Sequence, residues 1–314
     1  MTDFLKSCEN GTYTFSINYS DTQLSKRTLS KGLHIAAEKG HLDVVKQLLK
    51  YYQEQIGDTM TGISRFAIMH AMQNKHLEVV KLLLTYATPM DTFKKQDYDL
   101  LIIATRTGDV EIAELLYIYY NSIIPVNIMS HIFADALYYG HIKLARVFYS
   151  WTIHIPDIDI AFGDGFSSAC IRGNINDALT IYKWYPEISD RYYSIGLYSF
   201  FTHENKIDGD INSLVKLRPH VTPMTFEPHI LLELIHNGNN NKLQLFLKIY
   251  SSNIDIGSNE YMYFQSACLN NNIQIIEELL QYYTPNTQTL LQIINEPATS
   301  YSTCQFLKTY LTKY

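Results

Sequence analysis

Leu33-His34-Ile35-Ala36-Ala37-Glu38-Lys39-Gly40-His41-Leu42-Asp43-Val44-Val45-Lys46-Gln47-Leu48-Leu49 reads as two short helices hinged at a glycine. The residue just past a helix often enters the left-handed region, where glycine has no Cβ to clash, so the first helix ends at Gly40. Beyond it Leu42, Val45 and Leu49, with Leu48 beside them, form one apolar stripe at helical period. The small pair Ala36-Ala37 lets a neighbouring helix approach closely. Neither helix can bury its stripe alone, so further copies must stack on this one.

Such copies are present. Residues 68–84, 101–116, 133–145 and 168–179 repeat the pattern, and the apolar residue two after the glycine position falls at Leu42, Leu77, Val110, Ile142 and Ile175, in steps of 35, 33, 32 and 33. Ile211 follows after a step of 36, with an apparent insertion around Asn205 to Asp208. Residues 239–247 keep only a second-helix pattern of Leu243, Phe246 and Leu247, residues 266–276 are a clear copy, and residues 303–314 resemble a shortened terminal unit. Lys75 and Asn271 stand at the glycine position; asparagine tolerates the left-handed conformation next best, and lysine takes it at a cost.

A unit of about 33 residues reading L-H-x-A-A-x-x-G-H-L-x-V-V-x-x-L-L resembles the ankyrin repeat over roughly residues 30–285. The resemblance implies an all-α, helical-repeat solenoid of about eight helix-turn-helix units. The family's T-P-L-H opening survives only as Leu33-His34 and its G-A-D-x-N hairpin is absent, so the β-turn fingers are expected to be reduced or missing. Tyrosine-rich linkers, Tyr51-Tyr52-Gln53 and Tyr117-Ile118-Tyr119-Tyr120, are expected in their place. The expected organisation is an irregular capping segment over residues 1–29, the array over 30–285 with irregularity around 186–260, and capping helices over 286–314. A tetratricopeptide array has a similar period, but its tryptophan, tyrosine and proline landmarks are not in phase here. In composition and style the array is similar to the multigene-family proteins of large cytoplasmic DNA viruses, the asfarvirus group among them.

Composition narrows the function classes. The chain has 314 residues, 46 % hydrophobic and 18 % charged, which suits a folded protein of about two domains. A net charge of -6, with basic residues as sparse as Lys26-Arg27, Lys31 and Lys94-Lys95, argues against a nucleic-acid partner, because phosphate binding needs a basic surface. No apolar run reaches the ~18 residues of a membrane helix, and the first residues lack a signal-peptide core. Four scattered cysteines build no disulfide scaffold. A cytoplasmic setting without a membrane partner is the expectation.

Candidate chemistry is thin. His34 and His70 share one repeat position, allowing a slip of one, and His41, His76 and His141 share another. Repeats stack about 10 Å apart, whereas zinc ligands lie ~2.0–2.1 Å from the metal. The histidines are therefore expected to bond backbone in their own turns, with no metal or cofactor site. Cys170 and Cys268, each following Ser-Ala, are expected in the core. The segment Asp157-Ile158-Asp159-Ile160-Ala161-Phe162-Gly163-Asp164-Gly165 lacks EF-hand spacing and reads as a linker. Glu277-Glu278 reads as a solvated helix face. No phosphate-binding or nucleophile-elbow motif occurs, so no catalytic residue is expected.

What remains is a surface. The ankyrin resemblance implies binding through the fingers and the exposed end of the first helix. The matching pairs, Glu38-Lys39, Gln73-Asn74, Arg106-Thr107, Tyr138-Tyr139, Ile171-Arg172 and Leu269-Asn270, differ sharply between units while buried positions repeat. Tyrosine and arginine are frequent interface anchors, which singles out Tyr138-Tyr139 with Arg106 and Arg172, and then Glu38, Lys39, Gln73 and Asn74, as protein-binding residues. The expected function is a non-catalytic protein-interaction scaffold, with a host signalling or immune protein as partner if the viral resemblance holds. The alternatives are a self-assembling solenoid, or an enzyme with a site in the irregular residues 186–260, which an ordered cluster of His203, Glu204 and His220 would support.

Overall fold

A computed structural model describes residues 2–12, 25–56, 65–87, 95–120, 124–151, 155–203, 207–219, 227–250 and 260–313. The described residues form helices without a named strand. The chain divides into two compact halves, Met1–Ala161 and Phe162–Tyr314.

The N-terminal half opens with α1 (Thr2–Asn10). Four helix pairs follow: α2 (Lys26–Glu38) with α3 (Leu42–Ile56), α4 (Arg65–Gln73) with α5 (Leu77–Tyr86), α6 (Lys95–Thr107) with α7 (Val110–Tyr119), and α8 (Val126–Tyr138) with α9 (Ile142–Ser150). First helices pack on first helices, in the order α1, α2, α4, α6, α8, and second helices on second helices, in the order α3, α5, α7, α9. The core lies between the two rows. From the first repeat it takes Leu33, Ala36, Ala37, Val44, Val45, Leu48 and Leu49, all at most 3 % exposed. Burying one such Val or Leu side chain contributes about 1.5–3 kcal/mol.

The C-terminal half begins inside α10 (Ile158–Ile171) and continues through α11 (Ile175–Trp184), α12 (Asp190–Thr202), α13 (Ile211–Leu217), α14 (Glu227–Asn237), α15 (Asn240–Tyr250), α16 (Glu260–Leu269), α17 (Ile273–Tyr282), α18 (Thr287–Ile294) and α19 (Tyr301–Lys313). The pairing of two helices per repeat is thus the rule in both halves.

Turn positions follow the expected chemistry. Gly40, Gly108, Gly140, Gly173 and Gly238 have positive φ, and so do Lys75 (62°) and Asn271 (54°) where glycine is replaced. Asn271 gains a compensation, because its Oδ1 accepts hydrogen bonds from the hydroxyls of Ser300, Ser302 and Thr303 at 2.6–2.8 Å. Gly238 shows that the seventh repeat keeps a regular turn despite its eroded sequence.

The residue after the glycine position works in two ways. Asp109, Asn239 and Asn272 cap their own second helices, accepting from the N–H groups of Ile112, Lys242 and Ile275. His76 and His141 make no such cap. The expectation that the histidines bond backbone in their own turns is corrected. His41 Nε2 bonds the Glu9 carbonyl at 2.8 Å, and His141 Nε2 bonds the Arg106 carbonyl at 3.1 Å, each in the preceding turn. Each imidazole lies flat against that turn's glycine: a Cβ on Gly11, Gly40 or Gly108 would come within 2.5–2.7 Å of the ring of His41, His76 or His141. Only glycine fits there.

Three further expectations are corrected. The glycine-containing segment 157–165 is helical from Ile158 onward, and Gly163 stands inside α10 where the Tyr192 ring occupies the place a Cβ would take. Tyr51 and Tyr52 belong to α3, and Tyr117 and Tyr119 to α7 with Tyr120 as its C-cap; Tyr52, Tyr119 and Tyr120 are buried, so these tyrosines are core, not linker. Glu278 is not on a solvated face: it is buried and accepts from Gln244 Nε2 of α15 at 2.9 Å. Within the stretch expected to be irregular, the described residues of the sixth repeat depart from the helix-pair pattern. There α13 has seven residues, and the chain beyond α12 pairs Asp208 with Asn174 in a parallel bridge, Ile175 N–H to Asp208 O at 2.7 Å. The finger positions at 57–64, 88–94 and 251–259 lie outside the described residues, whereas the described connections 185–189 and 283–286 contain no strand.

Lys242 makes the sixth repeat possible. It is the third residue of α15, where the first four second helices carry Val44, Val79, Ile112 and Leu144. It is 1 % exposed, and its ammonium donates to the carbonyls of Phe200 and His203 at the end of α12. The last carbonyls of a helix lack intrahelical partners and attract a cation. Where the tight glycine turn is missing, a lysine supplies the hydrogen bonds instead.

Candidate functional site

The predicted surface residues lie at the ends of the first helices and in the turns that follow. Glu38 closes α2 and Lys39 is its C-cap; Gln73 closes α4 and Asn74 follows it; Arg106 is the penultimate residue of α6; Tyr138 closes α8 and Tyr139 is its C-cap. Lys39, Gln73, Asn74, Arg106, Tyr138 and Tyr139 are exposed, and Glu38 is half-buried. Their exposure follows from geometry: the residue two before Glu38, Gln73, Arg106 and Tyr138 lies on the opposite side of its helix and points into the core, as Ala36, Ala71, Ala104 and Ala136 do.

Arg106, Tyr138 and Tyr139 share one neighbourhood, because α6 packs on α8. The two tyrosine rings meet edge to face, 5.4 Å between centroids. One turn before them Asp135 lies half-buried. Burial raises its pKa, while His131 and Arg106 lower it. The Tyr98 hydroxyl is likewise raised, by burial first and then by Asp135, against Arg106. Two side chains that sequence reasoning passed over, Tyr98 and Asp135, therefore belong electrostatically to the patch around Arg106. Both sit on first helices facing the same row, which is the signal that could have found them.

Arg172 belongs to the C-terminal half. It is half-buried and folds back onto its own helix, Nη1 donating to Ser168 Oγ at 2.6 Å. Of the candidate catalytic set only His203 lies among the described residues. His203 Nδ1 bonds the Ser199 carbonyl at 3.1 Å, and its own carbonyl accepts from Lys242. Glu204 and His220 lie outside the described residues. Cys170 and Cys268 are core residues as expected, with burial pushing Cys170 up and Cys268 to about 12.

One cluster was not expected to close. His34 of α2 and His70 of α4 meet with ring centroids 4.8 Å apart and planes tilted by 57°. Glu38, one turn after His34, places Oε2 3.9 Å from His34 Nε2. Burial lowers the pKa of His34, as does the charge of His70, while Glu38 raises it. The slip of one residue between the two repeats turns both imidazoles toward each other across the helix–helix contact.

A family model of ankyrin repeats, in three copies, matches residues 33–127. Over residues 33–127 the chain is similar to ankyrin repeats. The fold is an all-α, ankyrin-like helical-repeat array, and the described residues beyond the matched stretch continue its order of helix pairs. Five of the predicted surface residues, Glu38, Lys39, Gln73, Asn74 and Arg106, fall inside the ankyrin match, while Tyr138, Tyr139 and Arg172 lie beyond it. No curated protein matches the chain. Ankyrin repeats are generally protein-interaction modules. Among the described residues no helix is long and apolar enough to cross a membrane.

Proposed function

We propose that this ankyrin array is a non-catalytic scaffold that captures a protein partner through the row of first-helix ends, centred on Arg106, Tyr138 and Tyr139. The observation that carries the reading is the contrast between the two sides of the first helices. The buried side repeats small apolar residues, and the exposed ends carry Glu38-Lys39, Gln73-Asn74, Arg106-Thr107 and Tyr138-Tyr139, each chemically different. Tyr138 and Tyr139 are 51 % and 40 % exposed, large aromatic area that a partner would desolvate. Asp135 beside Arg106 adds a charge pair that orients an incoming chain. Glu38, Lys39, Gln73 and Asn74 extend the same row, and Arg172 is a separate contact.

The similarity in composition and style to multigene-family proteins of large cytoplasmic DNA viruses supports the finer reading: a viral or intracellular-pathogen protein, cytoplasmic, that engages a host signalling or innate-immune protein. The acidic net charge supports a partner that is neither nucleic acid nor membrane.

The test is the variant Arg106→Glu/Tyr138→Ala/Tyr139→Ala. A partner identified by capture from host-cell lysate is purified, and its affinity for both chains is measured directly. The expected result is a loss of about 2 kcal/mol or more, the range of interface hot spots, with unchanged circular dichroism. Equal affinity for both chains would move the surface elsewhere. Concentration-dependent self-association without a partner would favour the self-assembling solenoid.

A further inference from the structure

We propose that His34, Glu38 and His70 bind a divalent transition-metal ion of the zinc type and so tie the first repeat to the second. The three side chains come from two neighbouring first helices, and one ligand atom from each lies within 4.8 Å of the others. A tetrahedral ion with bonds of ~2.0–2.1 Å holds its ligand atoms about 3.4 Å apart. Closing the gap takes modest side-chain rotation at residues that are partly exposed, His34 at 29 % and Glu38 at 37 %.

The donor atoms are also unspent. Neither imidazole makes a ring hydrogen bond to a described residue, although His41, His141, His203 and His236 all do. Glu38 keeps Oε2 toward His34, while its other oxygen lies 3.8 Å from Lys39 Nζ. The i, i+4 spacing of His34 and Glu38 puts both on one helical face, and His70 completes a three-ligand set from across the contact. Two imidazoles and one carboxylate suit Zn(II) and its neighbours. They do not suit Ca(II) or Mg(II), which require more oxygen ligands. Three ligands leave a fourth position on the solvent side for water or for a donor from outside the chain.

The experiment uses the full chain, stripped with chelator and titrated with Zn(II) by calorimetry and with Co(II) by visible absorption. One ion per chain and tetrahedral Co(II) bands are expected. Affinity should fall by roughly 10–100-fold or more in His34→Gln and in His70→Gln, and by a smaller factor in Glu38→Gln. Zn(II) should raise the melting temperature of the native chain and not that of the double histidine variant. Both histidines are partly exposed, so circular dichroism should show the variants folded. Undiminished binding in the folded double variant, equal binding of Ca(II), or no binding at about 0.1 mM Zn(II) would each overturn the proposal. None of these readouts involves a protein partner, so the outcome is independent of the scaffold reading.

Discussion

The ammonium of Lys242 lies 4.9 Å from the centroid of the Phe200 ring and donates to the carbonyl of that same residue. A cation, an aromatic face and a helix end are thus joined at one buried point, where the first four second helices carry an aliphatic residue. Lys242→Met keeps the volume but leaves the Phe200 and His203 carbonyls without their donor. A buried acceptor left unsatisfied costs about 1–3 kcal/mol. The urea midpoint should fall accordingly, and hydrogen exchange should speed up first in α12.

The turns give a paired prediction. Gly40 has φ +76°, and a Cβ there would strike the His76 ring. Gly40→Ala should therefore cost more than the ~1–2 kcal/mol of left-handed strain alone. Lys75 bears the same strain at φ +62°. The following repeat carries Asp109 at the histidine position, and Asp109 is turned inward to cap α7. Lys75→Gly should stabilise the chain by about 1 kcal/mol. Thermal denaturation of the two variants beside the native chain decides both.

Two buried tyrosines should respond in opposite directions. The Tyr193 hydroxyl donates to the Leu214 carbonyl at 2.5 Å, whereas the buried Tyr250 hydroxyl has no hydrogen-bond partner among the described residues. Tyr193→Phe should cost about 1–2 kcal/mol, and Tyr250→Phe should be neutral or stabilising. Equilibrium denaturation of both variants checks the difference in sign.

Thiol chemistry should separate core from surface. Burial pushes Cys8 to about 11 and Cys268 to about 12, and Cys170 higher still, so thiolate is scarce at neutral pH. Cys304 is half-buried. Iodoacetamide at about pH 8 should label Cys304 alone in the native chain and all four cysteines after unfolding, as read by peptide mass spectrometry. The folded thiols hold their protons more tightly than the unfolded ones, whose ordinary value is 9.0. Stability from this source is full below that value and is lost as pH rises through 11 to 12.

The repeat, its phase and its helix pairs were legible in the sequence because each depends on local patterning: an apolar stripe at helical period and a left-handed stop. What escaped was whatever depends on the next repeat. The bond from His41 to Glu9 spans a turn, and the rule that a histidine in one repeat demands glycine in the repeat before it shows only once the stack exists. The meeting of His34 with His70 arises from a one-residue slip that looked like degeneracy. The tyrosines of α3 and α7 misread as linkers for the same reason: polar-tipped rings at a helix end give no sign of whether a neighbour will cover them. The exposed ends of the first helices were legible as a row, but the participation of Tyr98 and Asp135 beside Arg106 required the packing of α6 on α8.

The bond between Lys242 and the end of α12 also limits how the array can be rebuilt. Grafting a consensus repeat over residues 190–217 would restore a tight turn and satisfy those carbonyls internally, stranding the ammonium in an apolar interior. The graft would succeed only with an aliphatic residue placed at 242 in the same step. The irregular repeat and the lysine of its neighbour are one exchangeable cassette, and a repeat swap has to cut on the far side of both.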